Sequence, residues 1–515
     1  MYVLVSLAWT LSAALLHREV SGSNYQDRRD YRYDNIVHTS HGSVQGQTEN
    51  IPVKDGGHVK VDVFQGIPFA RPPVGDLRFR RPLPADPWSG TLQATTPPNT
   101  CVQVLRNDTA PFPRPLTPVS EDCLYLNIWR PRCPGTGGKL ATMVWHHGEL
   151  FTFDSSVTDL YNGSFLAASQ CVIVASMNYR LGAFGFLYLG IPESPGNMGL
   201  LDITLALTWI KDNMRNFGGD PNKITVFGQA FGADIVSLML LSPLTRNLFN
   251  NAIVQGGSPK LRFVHRSTQA SLTAALELAR RLNCPTDNQT AAAQCLRQVD
   301  AADLALQHLI MTSTFVYLTV ATTDGYFLTK DPQVSLDTGD LKPCDIITGN
   351  NKDAGTYGLA LALPATYNFR RSPPLLNDQD LDSSLTVILG TLFKPEFIAR
   401  LIVELKMFYK YSMLRQEAGN PSLALLNLVT NDAFFYCPNR RLVAAYANTS
   451  QNVYLYAFNH ARDITTLDPW VGAHIVVEVP FVLGTTSPDY PDFSPRETKL
   501  KQSVMKLWAN FAKSG

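Results

Sequence analysis

Short apolar runs, broken by glycine, proline and polar turns, alternate along this chain with longer amphipathic stretches. Ile224–Phe227 is β-branched and aromatic, bounded by Asp220-Pro221 and Gly228, and reads as a buried strand. Gly228-Gln229-Ala230-Phe231-Gly232 follows, and then a helical apolar run, Ile235 to Leu241. The same reading gives strands at Leu124–Trp129, Ile346–Thr348 and Val453–Phe458, a strand entering a turn in Ala141–Phe151, and another opening at Cys171. Gly196–Gly228 reads as loop, helix, strand. Helices are predicted over Ser271–Leu282, Ala302–Leu309 and Glu396–Tyr411. Strands separated by helices predict an α/β fold with a large, mostly parallel central sheet and helices on both faces.

Glycine and proline punctuate Val37–Gln47 and Val63–Gly90, predicting turns around short strands. Cys101–Cys123 carries a proline-rich run that excludes regular structure, so a loop is expected. No internal repeat or low-complexity tract interrupts the chain.

Composition narrows the class. The chain has 515 residues, 45% of them hydrophobic, enough for a large core. Net charge is +1, with no basic stripe, which argues against a nucleic-acid partner. Arg28–Arg32 and Arg78–Arg81 are local clusters expected on solvated faces. Val3–Leu16 is apolar and precedes small residues, so residues 1–22 read as a signal peptide and 23–35 as a flexible N-terminus. No later stretch has the length and apolarity of a transmembrane helix. Four N-x-S/T sequons, at Asn107, Asn162, Asn288 and Asn448, fit a secreted, extracellular glycoprotein, as do eight cysteines.

The strand, Gly-x-?-x-Gly and helix around residue 230 have the frame of a nucleophile elbow. The hydroxyl that would do the chemistry is absent at Ala230, although both glycines that permit the sharp turn are present. Alone, such a frame is as consistent with an ordinary strand–turn–helix.

Longer motifs decide the matter. Glu121-Asp122-Cys123-Leu124-Tyr125-Leu126-Asn127, FQGIPFARPPVGDLRF from Phe64, SSVTDLYNGSFLA from Ser155, NYRLGAFGF from Asn178 and FGGDPNKITVFG from Phe217 occur in order. From Ile36 onward the chain resembles the cholinesterase and type-B carboxylesterase family. The resemblance implies one α/β-hydrolase domain over 36–515 and places the family's working residues. The nucleophilic serine falls on Ala230. The acid, in Lys352-Asp353-Ala354-Gly355-Thr356, falls on Ala354. The histidine that precedes Gly-x-Glu falls on Ile475, with His474 as its neighbour. The oxyanion-hole positions are Glu149, Leu150 and Phe231, and the glutamate before the nucleophile is Gln229. Bulk at Leu150 and Phe231 and a carboxylate at Glu149 are expected to narrow the base of the gorge and to disfavour an oxyanion. The tryptophan that stacks a quaternary ammonium has no counterpart in Arg106–Val119.

The family also implies disulfides Cys101–Cys123 and Cys284–Cys295. Its sheet order sets the strand Leu124–Trp129 antiparallel to the one opening at Cys171, so a third bridge, Cys133–Cys171, is expected. Cys437 matches a family cysteine whose partner lies past residue 515; the pairing of Cys437 and Cys344 stays open. His146-His147-Gly148-Glu149 invites a metal, but neighbouring strand residues face opposite ways and zinc needs more converging ligands. Ser237 and Ser258 have no visible base and read as structural.

The expectation is therefore a secreted, non-catalytic protein without cofactor or metal, acting by binding an extracellular protein, as family members lacking the triad do (neuroligins, neurotactin, gliotactin, glutactin). Homo- or hetero-oligomerisation stays open. The alternatives are an atypical carboxylesterase or cholinesterase, and a carrier of a small apolar ligand in the residual gorge.

Overall fold

The computed structural model describes residues 35–53, 56–105, 114–133, 139–259, 264–312, 320–411, 419–462, 467–487 and 490–515. The signal peptide, nearly all of the N-terminal stretch and Asn107 lie outside the described residues.

A sheet of nine strands carries the architecture. In chain order they are β1 (Gln47–Pro52), β2 (His58–Pro68), β3 (Tyr125–Pro131), β4 (Leu140–His146), β5 (Ile173–Met177), β6 (Gly219–Gln229), β7 (Asn251–Gln255), β8 (Ile346–Asn351) and β9 (Val453–Phe458). Across the sheet they run β9-β8-β7-β6-β4-β5-β3-β2-β1. The six from β9 to β5 are parallel, and β3, β2 and β1 continue antiparallel. Every residue of β4 and β5 is buried, as expected of strands covered on both faces.

The helices that matter for the site are α1 (Ser164–Gln170), α2 (Met198–Asn213), α3 (Phe231–Met239), α4 (Thr268–Arg281), α5 (Gly355–Ala362) and α6 (Pro495–Ser514). The apolar run at Ile235 starts later than its helix: α3 begins at Phe231, directly after the turn. The strand before it extends beyond Ile224–Phe227, with an irregular register between Gly219 and Ile224. One core cluster runs from Val37 to Ala512. A second gathers Ala275, Leu278 and Leu296 and is closed by Cys284–Cys295.

The expectation of a solvated Arg78 is overturned. Its side chain is buried, forks onto Glu121, and donates to the carbonyls of Leu296, Arg297 and Val299. A planar guanidinium with five donors suits a site that ties three backbone oxygens and one carboxylate together. The charge pattern alone does not reveal that these carbonyls converge.

Three disulfides are formed: Cys101–Cys123, Cys133–Cys171 and Cys284–Cys295, with Cα separations of 5.0, 6.0 and 5.6 Å. Cys133–Cys171 joins the end of β3 to the start of β5, whose antiparallel register pairs Val174 with Trp129. Cys344 is buried and Cys437 exposed, both as thiols. Among the described residues, no helix is long and apolar enough to cross a membrane.

Candidate functional site

β6 ends at Gln229, Ala230 makes the turn, and α3 begins at Phe231. Ala230 adopts φ 51° and ψ −121°, a strained backbone for a residue with a Cβ. The flanking glycines are required by close approach. A Cβ on Gly228 would lie 2.5 Å from the Gly232 carbonyl oxygen, and one on Gly232 2.1 Å from that of His146. The elbow keeps its geometry with a methyl group where a hydroxyl would stand.

The positions at which the resemblance sets the acid and the base lie on loops at the same end of the sheet. Ala354 follows β8 and caps α5; Ile475 follows β9. A buried glutamate, Glu478, binds these loops together. Its carboxylate accepts from Asn351 Nδ2 at 2.6 Å and from Gln255 Nε2 at 3.3 Å. Gln255 in turn accepts the Ala230 N–H on its main-chain oxygen at 2.9 Å, and Asn351 also donates to the His474 carbonyl at 2.7 Å. Asp353 completes the frame: its carboxylate accepts from the Ala473 N–H at 2.8 Å and its own N–H donates to the Ala473 carbonyl at 3.0 Å. Burial pushes the Glu478 carboxyl up to about 7, against the pull of its amide donors. Val476, where the family motif has glycine, sits at φ 84°, a costly backbone for a β-branched residue.

His474 is buried, and its Nδ1 faces the Ile475 carbonyl. Its Nε2 has no hydrogen-bond partner, and burial holds the ring down at about 4. A general base needs one ring nitrogen on an orienting acid and the other on the nucleophile. Neither contact is made. Ile475 itself is 2% exposed and belongs to the core.

The loop after β4 fills the oxyanion side. Leu150 and Phe151 take φ of 59° and 54°, and the Glu149 carbonyl accepts from Thr152 and Phe153 at 3.0 Å each. Glu149, Leu150 and Phe231 are all buried. Phe231 meets Phe151 edge-on, with ring centroids 5.5 Å apart. The Glu149 carboxylate accepts from the Tyr357 hydroxyl, in the first turn of α5. The Gly148 N–H donates to Asp154, whose carboxylate also accepts the Tyr161 hydroxyl at 2.9 Å.

His146 and His147 are buried, and no ring nitrogen of either is hydrogen-bonded. His147 stacks on Tyr179 at 4.5 Å, with Nδ1 3.8 Å from Asp154. Burial holds both imidazoles down at about 3 and pushes the Asp154 carboxyl up to about 7. Desolvation dominates on both sides, so the His147–Asp154 contact is not an ion pair. Gln229 is buried beside the elbow, Ser237 donates to the Asp234 carbonyl, and Ser258 to the Pro438 carbonyl.

The structure thus brings the ends of β6, β7 and β8 together around Ala230, Ala354 and the loop of Ile475. Among the described residues there, none of the imidazoles of His146, His147 and His474 is hydrogen-bonded to a carboxylate or a hydroxyl. Glu478, Asp353, Tyr357 and Asp154 are the residues that sequence reasoning missed. For Glu478 a signal existed, its place three residues after Ile475, where the family motif has its glutamate; for Tyr357 and Asp154 none did.

A sequence model described as the carboxylesterase family matches residues 33–515. An acetylcholinesterase from Bungarus fasciatus is 35% identical over 488 residues, covering 93% of this chain and 78% of that enzyme. With a nine-stranded α/β sheet, an elbow at Ala230 and these matches, the chain belongs to the cholinesterase and type-B carboxylesterase family.

Proposed function

We propose that this protein is a secreted, non-catalytic member of its family that acts by binding another extracellular protein. One observation carries the reading: Ala230 holds the strained elbow conformation with no hydroxyl; Ala354 and Ile475, where the resemblance sets the acid and the base, are buried and carry neither group. Magnitude supports it. Removing a serine-hydrolase triad costs about 10⁶ in turnover, and the remaining 10³–10⁴ or so over water comes from the oxyanion hole and binding. Here the oxyanion positions carry Glu149, Leu150 and Phe231, all packed inward. Three disulfides fit an oxidising compartment. The large, rigid fold persists without its chemistry, which favours a role for its outer surface.

The test has two arms. The purified protein is incubated with a fluorophosphonate probe and assayed with acetylthiocholine and p-nitrophenyl acetate against a heat-denatured control. Neither labelling nor turnover is expected. Labelling, or turnover above the control, sinks the reading in favour of an atypical esterase. In the second arm, native mass spectrometry looks for a co-purifying small apolar molecule; finding one replaces protein recognition with the carrier role.

A further inference from the structure

Asn162 stands at the lip of a half-open cleft of about 250 Å³, away from the elbow. Leu116, Trp129 and Phe165 line its wall, and Gln65, Thr158 and Thr486 lie among them. The Thr158 hydroxyl is buried and has no hydrogen-bond partner. Its oxygen is closed off from solvent, so it does not face the cleft.

The sequon Asn162-Gly163-Ser164 is fixed against this cleft. Gly163 lies flat on the indole of Trp129: a Cβ there would meet the ring at 2.6 Å and Val174 at 2.7 Å. The Asn162 side-chain oxygen accepts the Ser164 N–H at 2.8 Å, opening α1. Its Nδ2 takes no part in that contact, and the residue is exposed. Asn288 and Asn448, by contrast, are exposed at the ends of helices and do not line this cleft.

We propose that Asn162 carries an N-linked glycan and that its innermost N-acetylglucosamine sits in this cleft, against Phe165 and Leu116 and beside Gln65. A hexosamine presents an apolar ring face to Phe165 and Leu116 and an acetamido group and hydroxyls to Gln65. The attachment occurs on the unfolded chain, from a polyprenyl-diphosphate-linked oligosaccharide. The Asn162 Nδ2 bonds to the anomeric carbon and loses one proton. The anomeric C–O bond breaks, and the polyprenyl diphosphate leaves with the electron pair. Folding then closes the cleft around the first sugar. The proposal rests on the secretory reading above and is independent of whether the elbow is catalytic.

The test uses the full chain secreted from human cells. Site-resolved glycopeptide mass spectrometry gives occupancy, and peptide-N-glycosidase F digestion of the native protein gives the release rate at each site. Occupancy at Asn162 is expected, with release about tenfold slower than at Asn288 and Asn448 and equal rates after denaturation, because cleavage needs the cleft to open. Thr486→Trp, at an exposed rim position, fills the cleft without touching the core and is expected to raise the Asn162 rate to that of the other two. A glycan at Asn288 or Asn448 with none at Asn162 overturns the proposal alone. Equal native release rates, or no effect of Thr486→Trp, overturn it as well. No glycan at any site overturns both this proposal and the secretory reading.

Discussion

The Tyr357 hydroxyl donates to the Glu149 carboxylate, joining the first turn of α5 to the loop that carries the oxyanion positions. The two residues are 208 positions apart. A carboxylate thereby stands, held by a buried tyrosine, in the region where the family's enzymes gather positive dipoles for a developing negative charge.

Tyr357→Phe removes that donor and leaves a buried carboxylate short of one hydrogen bond. It is expected to lower stability by about 1–3 kcal/mol. Urea denaturation followed by tryptophan fluorescence reads the change, and an unchanged midpoint would show the contact to be idle.

Ala230→Ser restores the hydroxyl at an elbow already in the required backbone conformation. It is expected to remain without ester turnover and without fluorophosphonate labelling, since His474 faces the Ile475 carbonyl and Ala354 offers no carboxylate. Turnover within a few orders of magnitude of a family esterase would mean that another base reaches residue 230.

Gly232→Ala sets a methyl 2.1 Å from the His146 carbonyl oxygen, which belongs to the strand backbone and cannot step aside. Overpacking of this kind costs about 1–3 kcal/mol or more. We expect loss of secreted yield, while Gly56→Ala, a control with nothing within 4 Å of the added methyl, is expected to secrete normally apart from its backbone cost at φ 75°. Equal yields of both would contradict the close approach.

Stability is expected to fall on acidification. His146 and His147 are held down at about 3 and His308 and His474 at about 4, all by burial, below an ordinary 6.5. Between those values the unfolded chain binds protons that the folded chain does not, so stability is lost as pH drops below 6.5. Asp154 and Glu478, pushed up to about 7, act in the opposite sense: their folded forms keep protons that the unfolded chain releases above about pH 4–5. His265 is also held down and Asp234 also pushed up by burial, so five histidines against three carboxyls leave a net loss toward acid. Glu478→Gln removes one opposing group, so the denaturation midpoint should fall more steeply between pH 6.5 and 5 than in the parent protein. A shallower slope in the variant would reverse the sign assigned to Glu478.

Cys133→Ser with Cys171→Ser opens a loop whose ends lie 38 residues apart. On chain-entropy grounds the pair is expected to lose about 4 kcal/mol. Calorimetry reads it; a melting temperature equal to the parent's would show that the strand pairing of β3 with β5 alone closes this loop.

The sequence by itself determined the strand–turn–helix at Ala230, because two glycines and an apolar run are local properties of the backbone. It also determined that residues 230, 354 and 475 carry no hydroxyl, carboxyl or imidazole, because an alanine or isoleucine offers none in any fold. Through the resemblance it gave the neighbouring strands and so the partner of Cys133. Only the tertiary structure decided what packs around these positions. Tyr357 meets Glu149, and Glu478 meets Gln255 and Asn351, across gaps of more than a hundred residues, so those contacts depend on sheet order and side-chain rotamers rather than on spacing. Arg78 shows the same limit: a charge that reads as solvated is buried because three carbonyls and Glu121 converge on it. Burial, which sets the protonation of His147 and Asp154, is a property of the packed molecule and is not carried by either residue alone.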